Sequence, residues 1–246
     1  MPFISVRDVS KVFANGVQAL AAVSLEVERS EFLSVLGPSG CGKSTLLRLI
    51  AGLSEPTAGA IERPGSRADI GFVFQEPTLM PWATALANVA LPLRLRGMAK
   101  SEREQRAASA LEQVGLVGFE HSWPRELSGG MKMRVSIARA LVVEPMLLLM
   151  DEPFAALDEI TRHRLNADLL ELWQRNNVTV VFVTHSVFES VFLSQRVTVM
   201  TSRPGRVGSE LAIAALYPRS DAFRTSTEYV GYCRQASALL AAAMAE

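Results

Sequence analysis

The sequence is poor in cysteine, with only Cys41 and Cys233 among its 246 residues. Two such residues build neither a disulfide framework nor a cysteine metal cluster, and a reducing compartment suits them. Charge of either sign is not in excess, since 25 Lys and Arg balance 25 Asp and Glu. No chain-wide field draws the protein toward nucleic acid or anionic lipid, so no nucleic-acid partner is expected. Long apolar runs are missing too, and none approaches the ~18 residues that span a bilayer. The opening Met1-Pro2-Phe3-Ile4-Ser5-Val6-Arg7-Asp8 lacks a basic segment followed by an apolar stretch and a small-residue cleavage site. No secretory signal is read there, and a cytosolic setting is expected. The 49% of apolar residues are ample for the core of one large domain or of two lobes sharing an interface.

Order along the chain is more informative. Ile4 and Val6, then Val23, Leu25 and Val27, alternate with polar neighbours, which predicts a small antiparallel sheet at the N-terminus. Four later apolar runs, Phe32 to Leu36, Ile70 to Phe74, Met146 to Met150 and Val178 to Val183, are nearly continuous, as strands covered on both faces are. Helical patterns lie at Ser44 to Ala51, Ser101 to Val114, Ser128 to Val142 and Asp158 to Trp173, and Ser101-x-x-Glu104 and Ser186-x-x-Glu189 read as capping boxes. Between Gln75 and Leu127 no buried strand is found and helical sequence takes over. The fold class is therefore α/β, a mostly parallel sheet with an N-terminal antiparallel β subdomain and an inserted helical subdomain. The alanine-rich Ala236 to Ala245 reads as a terminal helix.

Ligands of open α/β sheets gather beyond the carboxyl ends of the strands, and four predicted strands end in polar groups. The first runs into Gly37-Pro38-Ser39-Gly40-Cys41-Gly42-Lys43-Ser44-Thr45, a phosphate loop between strand and helix. Its glycines let backbone N–H groups turn toward phosphate oxygens, Lys43 supplies charge to the β and γ phosphates, and Ser44 can ligate Mg²⁺. The bland alternative is a glycine turn before a helix, and for Cys41 a small loop residue rather than an oxidisable thiol. Another strand ends in Asp151-Glu152, two acids that are costly to bury without partners. Asp151 is read as a holder of Mg²⁺, and Glu152 as the base that takes a proton from water attacking the γ-phosphate. His185 suits a γ-phosphate contact or a purely structural role, and Gln75 suits Mg²⁺, the attacking water, or an ordinary loop.

Leu127-Ser128-Gly129-Gly130-Met131 lies between the phosphate loop and the acidic pair. With it, residues 3 to 215 resemble the ATP-binding subunits of ABC transporters, carrying in order Phe13, the phosphate loop, Gln75, this signature, Asp151-Glu152, Ala156-Leu157-Asp158 and His185. The resemblance implies a P-loop NTPase core, with an ATPase domain over 1–217, a helical subdomain at about 76–145 inserted in it, and a helical tail over 218–246. It implies ATP and Mg²⁺ as cofactors and Phe13 stacked on adenine, although Phe13 also suits a buried sheet aromatic. It further implies that two copies pair head to tail, with Ser128, Gly129 and Gly130 of one closing over the ATP of the other. Ser128 at a helix start is a good anion site in its own right or simply an N-cap, and Asp158 reads both as an N-cap and as a sensor of the opposite site. Two positions depart from the family pattern. Met131 stands where a glutamine is usual, and Met133 replaces another frequent glutamine, implying fewer polar contacts across the pair.

Phe72-Val73-Phe74-Gln75-Glu76-Pro77-Thr78-Leu79-Met80-Pro81-Trp82, Asn88-Val89 and Arg203-Pro204-Gly205-Arg206 are most similar to the nitrate, sulfonate and taurine importer branch. That likeness implies membrane permease subunits as partners, a solute-binding protein acting indirectly, and a peripheral place on the cytoplasmic face of the inner membrane. Trp82 is either a permease-docking anchor or a core residue. An exporter subunit, an ABC-type ATPase of a soluble nucleic-acid complex and a slow nucleotide-operated scaffold are the competing readings.

Overall fold

The computed structural model describes residues 2–66 and 69–245. Three strands, β1 (Ile4–Val12), β2 (Gln18–Val27) and β4 (Ala58–Glu62), form an antiparallel sheet in the order β2-β1-β4. Six others, β3 (Phe32–Leu36), β5 (Ile70–Val73), β6 (Leu147–Asp151), β7 (Thr179–Thr184), β8 (Arg196–Met200) and β9 (Val207–Ala212), form the main sheet in the order β5-β6-β7-β3-β8-β9. All its pairings are parallel except that of β8 with β9.

The continuous apolar runs have a direct cause: side chains alternate across a strand, and both faces of this sheet are covered. Phe32, Leu36, Leu148, Met150, Val180 and Phe182 point into one core, whereas Leu33, Val35, Leu147, Leu149, Val181 and Val183 point into the other. The second core is closed by the antiparallel sheet and by α1 (Lys43–Ile50), through Ile4, Leu25, Leu46 and Ile50. The first is closed by α4 (Gly129–Leu141), α5 (Glu159–Asn176), α6 (Val187–Leu193) and α8 (Thr227–Ala245), and it continues into the packed helices α2 (Ala85–Leu95) and α3 (Lys100–Gln113).

The helix starts follow local chemistry. Ser128 caps α4 by accepting from the Met131 N–H, Asp158 caps α5 from the Thr161 N–H, and Ser186 caps α6 from the Glu189 N–H. The box expected at Ser101 is absent, because α3 already starts at Lys100 with Ala99 at its cap and Ser101 lies inside the helix. The box at Ser186 is half formed: the Glu189 carboxylate turns inward to accept from Thr184 instead of reaching back. The terminal helix starts nine residues earlier than the alanine run, at Thr227, and packs on α6, β8 and β9.

The segment between β9 and α8, which includes α7 (Asp221–Arg224), is fastened by the buried Arg219. Its guanidinium donates to the carbonyls of Val191, Phe192, Ser194, Ile213 and Ala215 at 2.8–3.4 Å and lies 4.1 Å over the Tyr217 ring. Two of those carbonyls belong to the C-terminal turn of α6, where a cation is favoured. Arg219→Leu leaves these buried carbonyls unpaired, at a cost of about 3 kcal/mol. The unfolding temperature should fall by roughly 5–10 °C, and a fall below one degree removes Arg219 from the stabilising contacts.

Candidate active site

Because β6, β7 and β3 are neighbours in a parallel sheet, their carboxyl ends open onto one edge. Beyond β3 comes the phosphate loop. Gly42 adopts φ 108°, and a Cβ there would lie 2.7 Å from the Ala19 carbonyl oxygen, so only glycine fits at the close approach of loop and β2. Lys43 is 3% exposed. Its Nζ donates to the Gly37 and Pro38 carbonyls at 2.8 and 2.9 Å and stands 3.3 Å from Glu152 Oε1. Ser44 Oγ donates to Asp151 Oδ1 at 2.7 Å. Burial pushes the Asp151 carboxyl above its ordinary range, while the Ser44 hydrogen bond pulls the other way.

Glu152, one residue past β6, sits at φ 45°, a left-handed conformation unusual for a side-chain-bearing residue. It is held there by its N–H on the Val183 carbonyl at 3.0 Å, which locks the end of β6 to that of β7. The same strand β7 delivers His185, whose Nδ1 lies 2.7 Å from Glu152 Oε2. One carboxylate thus faces an ammonium through one oxygen and an imidazole through the other.

A cavity of about 160 Å³ lies over this array, lined by Phe13, Val17, Ala19, Gly40, Gly42, Lys43, Ser44, Thr45, Glu152 and Arg203. The buried-aromatic alternative for Phe13 is wrong: its ring is 44% exposed, at the turn where the Phe13 N–H donates to Val17 O. Cys41 is buried beside Gly37, and burial raises its thiol pKa. It packs the loop as a small residue. Ser39 is exposed on the loop without lining the cavity, and Gln75 is exposed two residues past β5, also outside it. Among the described residues no three His, Cys, Asp or Glu side chains converge as a metal site. The oxygens of Ser44 and Asp151 are nevertheless hard ligands at mutual contact distance, a donor set that fits Mg²⁺ completed by phosphate oxygens and water.

A family profile described as ABC transporter matches residues 20–155, more than half of the chain. The chain belongs to that family. It is 51% identical over 237 residues to an uncharacterised ABC transporter ATP-binding protein, MJ0412, of Methanocaldococcus jannaschii, covering 93% of this chain and 88% of the relative. It is 47% identical to the nitrate import ATP-binding protein NrtD of Synechocystis sp., covering 85% and 82%. It is 42% identical to the aliphatic sulfonates import ATP-binding protein SsuB of Bacillus cereus, covering 88% of each. Among solved structures, the dimeric ATP-binding cassette MJ0796 in a post-hydrolysis state with ADP and Pi matches at a TM-score of 0.77 and 35% identity, covering 87% of this chain and all of that one. This chain is an ATP-binding, ATP-hydrolysing ABC cassette with a P-loop NTPase core.

Within one cassette the signature stands apart from the phosphate pocket. Ser128 and Gly129 are exposed at the start of α4, and Gly130 packs where a Cβ would come within 2.8 Å of Thr161 Cγ2. Met133 faces the core, 2% exposed, so its replacement of a glutamine bears on packing, and the expected loss of polar contacts across a pair does not follow from it. Trp82 is not core either: it is 74% exposed at the mouth of a groove of about 550 Å³ lined also by Met80, Leu86, Ala87, Leu91 and Trp123. Buried Asn88 fixes the approach to this groove by bonding Met80 N–H and the carbonyls of Met80, Ala83 and Thr84.

The Arg203-Pro204-Gly205-Arg206 turn, only a branch marker in the sequence, helps build the pocket. Its signal was the apolar β8, whose end opens on the same edge as the other parallel strands. Arg203 Nε donates to the Gly40 carbonyl at 3.1 Å, and Gly205 exchanges backbone hydrogen bonds with Ala19 and Ala21 at 3.0 Å. A Cβ on Gly205 would fall 2.0 Å from the Cys41 carbonyl oxygen. Gly205→Ala therefore displaces the phosphate loop. It should cost about 1–3 kcal/mol of stability and weaken ATP binding more than tenfold in a calorimetric titration, whereas unaltered affinity would show that the loop does not depend on this buttress.

Proposed function

We propose that this cassette drives uptake of a small solute such as nitrate, a sulfonate or taurine, as one of two copies paired head to tail beneath membrane permease subunits. The observation that carries the catalytic part is the convergence of Lys43 and His185 on the two oxygens of Glu152, beside Ser44 and Asp151. The import part rests on the likeness to NrtD and SsuB. In this reading 1–217 is the ATPase domain, with its helical subdomain at about 76–145, and 218–246 is a tail packed on it. No helix of the described residues is long and apolar enough to cross a membrane. Attachment to the cytoplasmic face then runs through the permease, which delivers solute collected by a separate binding protein.

Phe13 stacks on adenine while Gly37 to Thr45 wrap the phosphates with backbone N–H groups. Ser44 and Asp151 would hold Mg²⁺ through their oxygens, and Gln75, exposed beyond β5, would have to swing in to offer its amide oxygen to the ion or the attacking water. When bound, the ion neutralises charge on the phosphates being separated. Glu152 takes the proton of the attacking water, and His185 contacts the γ-phosphate from the turn that already places it on Glu152. Ser128, Gly129 and Gly130 of the second copy cover the same nucleotide with a helix N-terminus. Trp82 and its groove receive an amphipathic segment of the permease.

Lys43→Ala should abolish tight ATP binding. Glu152→Gln should keep binding, lose roughly 10²–10⁴-fold in turnover and accumulate dimer on size exclusion with ATP and Mg²⁺; turnover at the parental rate disproves the base assignment. Expressed in its native cell and extracted gently with ATP and Mg²⁺, Glu152→Gln should bring down a multi-span permease identifiable by mass spectrometry. Trp82→Ala in that background should reduce the permease recovered about tenfold, and Trp82→Ala with Glu152 intact should leave ATP hydrolysis by the isolated cassette unchanged. Recovery of a nucleic-acid assembly, or of an export partner, overturns the import reading.

A further inference from the structure

Glu189 is a buried carboxylate, 6% exposed, in the first turn of α6. The catalytic reading gives it no task. Its Oε2 accepts from the Thr184 hydroxyl at 2.5 Å, and Thr184 Oγ1 in turn accepts from the Ser186 N–H at 2.9 Å. Ser186 Oγ closes the circuit by accepting from the Glu189 N–H at 3.3 Å. These bonds fix the backbone on both sides of His185, the one residue of the turn left to project toward Glu152.

The other oxygen, Glu189 Oε1, has no hydrogen-bond partner and lies 3.8 Å from Arg162 Nε on α5. Arg162 donates from Nη2 to the Leu157 carbonyl at 2.8 Å and from Nε to the Phe154 carbonyl at 3.3 Å. Both carbonyls belong to the turn that joins Glu152 to Asp158. A single ion pair therefore ties together the two turns that carry the reacting groups, one holding His185 and the other running from Glu152 to the cap of α5.

We propose that Arg162 and Glu189 are a positioning pair for ATP hydrolysis, holding the His185 turn in register with the Glu152–Asp158 turn. The inference rests on the assignment of Glu152 as base and His185 as phosphate contact. Neither member lines the phosphate cavity. The pair acts on the rate of the chemical step by fixing where His185 meets Glu152, the logic by which a base is oriented by a third group. Glu189→Gln keeps the shape and an acceptor for Thr184 but removes the charge that faces Arg162.

Steady-state ATP hydrolysis by the intact cassette tests this with Glu189→Gln, Arg162→Met and the double variant. Each single change should lower kcat about tenfold, with KM and the Kd for ATP within twofold and the unfolding temperature within a few degrees. The double variant should be no slower than the singles, because both break one linkage. Arg162→Lys, which keeps the charge but offers no planar fork to two carbonyls, should recover part of the rate. Unchanged kcat, multiplying losses in the double variant, or kcat, KM and unfolding temperature falling together each overturn the proposal. If Glu152→Gln is also fully active, the catalytic reading fails with it; if Glu152→Gln is inactive while Glu189→Gln is not, the pair alone is refuted.

Discussion

The rest of the site depends on one buried cation. Lys43 is nearly inaccessible, and an unpaired ammonium there would carry a desolvation cost of several kcal/mol. It offers three donors: two meet the carbonyls of Gly37 and Pro38, and the Glu152 carboxylate stands nearby. The loop is thereby curled around this charge. The same contact sets the position of Glu152, whose second oxygen is met by His185. Under the proposed scheme phosphate would compete with Glu152 for the ammonium, linking nucleotide and carboxylate before any conformational change is invoked.

Such closeness requires a rigid frame. Five parallel strands buried on both faces supply one, since the ends of β3, β6 and β7 move only if two packed cores move with them. The backbone bond from Glu152 to Val183 extends this frame one residue beyond the sheet. The left-handed backbone at Glu152 costs on the order of 1–3 kcal/mol, and the frame is what sustains it. On the far side of β3 the Arg203–Gly205 turn braces the loop from below through Gly40, Cys41 and Ala19.

How legible this was in the sequence varies with the range of the interaction. The phosphate loop, the acidic pair and the buried strands were readable because each is a local pattern whose physics is complete within about ten residues. The strands β4, β8 and β9 carried weaker signals: Ala58–Glu62 is largely exposed, and Val207–Ala212 alternates along an antiparallel edge. Phe13 and Trp82 were ambiguous because an aromatic residue looks the same in a list whether it fills a core or faces water. Met133 lies one helical turn beyond the exposed Gly129, on the core face of α4, and motif spacing alone does not reveal which face it takes. Glu189 has the spacing of a capping box, but its carboxylate meets Thr184 at the end of β7 and Arg162 on α5, and the second contact depends on the packing of α5 on α6.

Charge balance in the pocket supports the second copy of the proposed assembly. A nucleoside triphosphate brings several negative charges to a pocket in which Lys43 already faces Glu152 and Asp151 is met by the neutral hydroxyl of Ser44. Arg203, exposed at the rim, and the N–H groups of the loop offset only part of that load. Mg²⁺ supplies two positive charges under the proposed scheme, and a helix N-terminus supplies about half of one. This chain has such a terminus, at Ser128 in α4, but it is turned to solvent away from its own phosphate pocket. An exposed anion site on one wall and an under-compensated anion pocket on another are complementary only between two molecules. In the proposed head-to-tail pair each nucleotide would complete the electrostatics of both surfaces, and hydrolysis, by splitting that anion, would remove what holds them together.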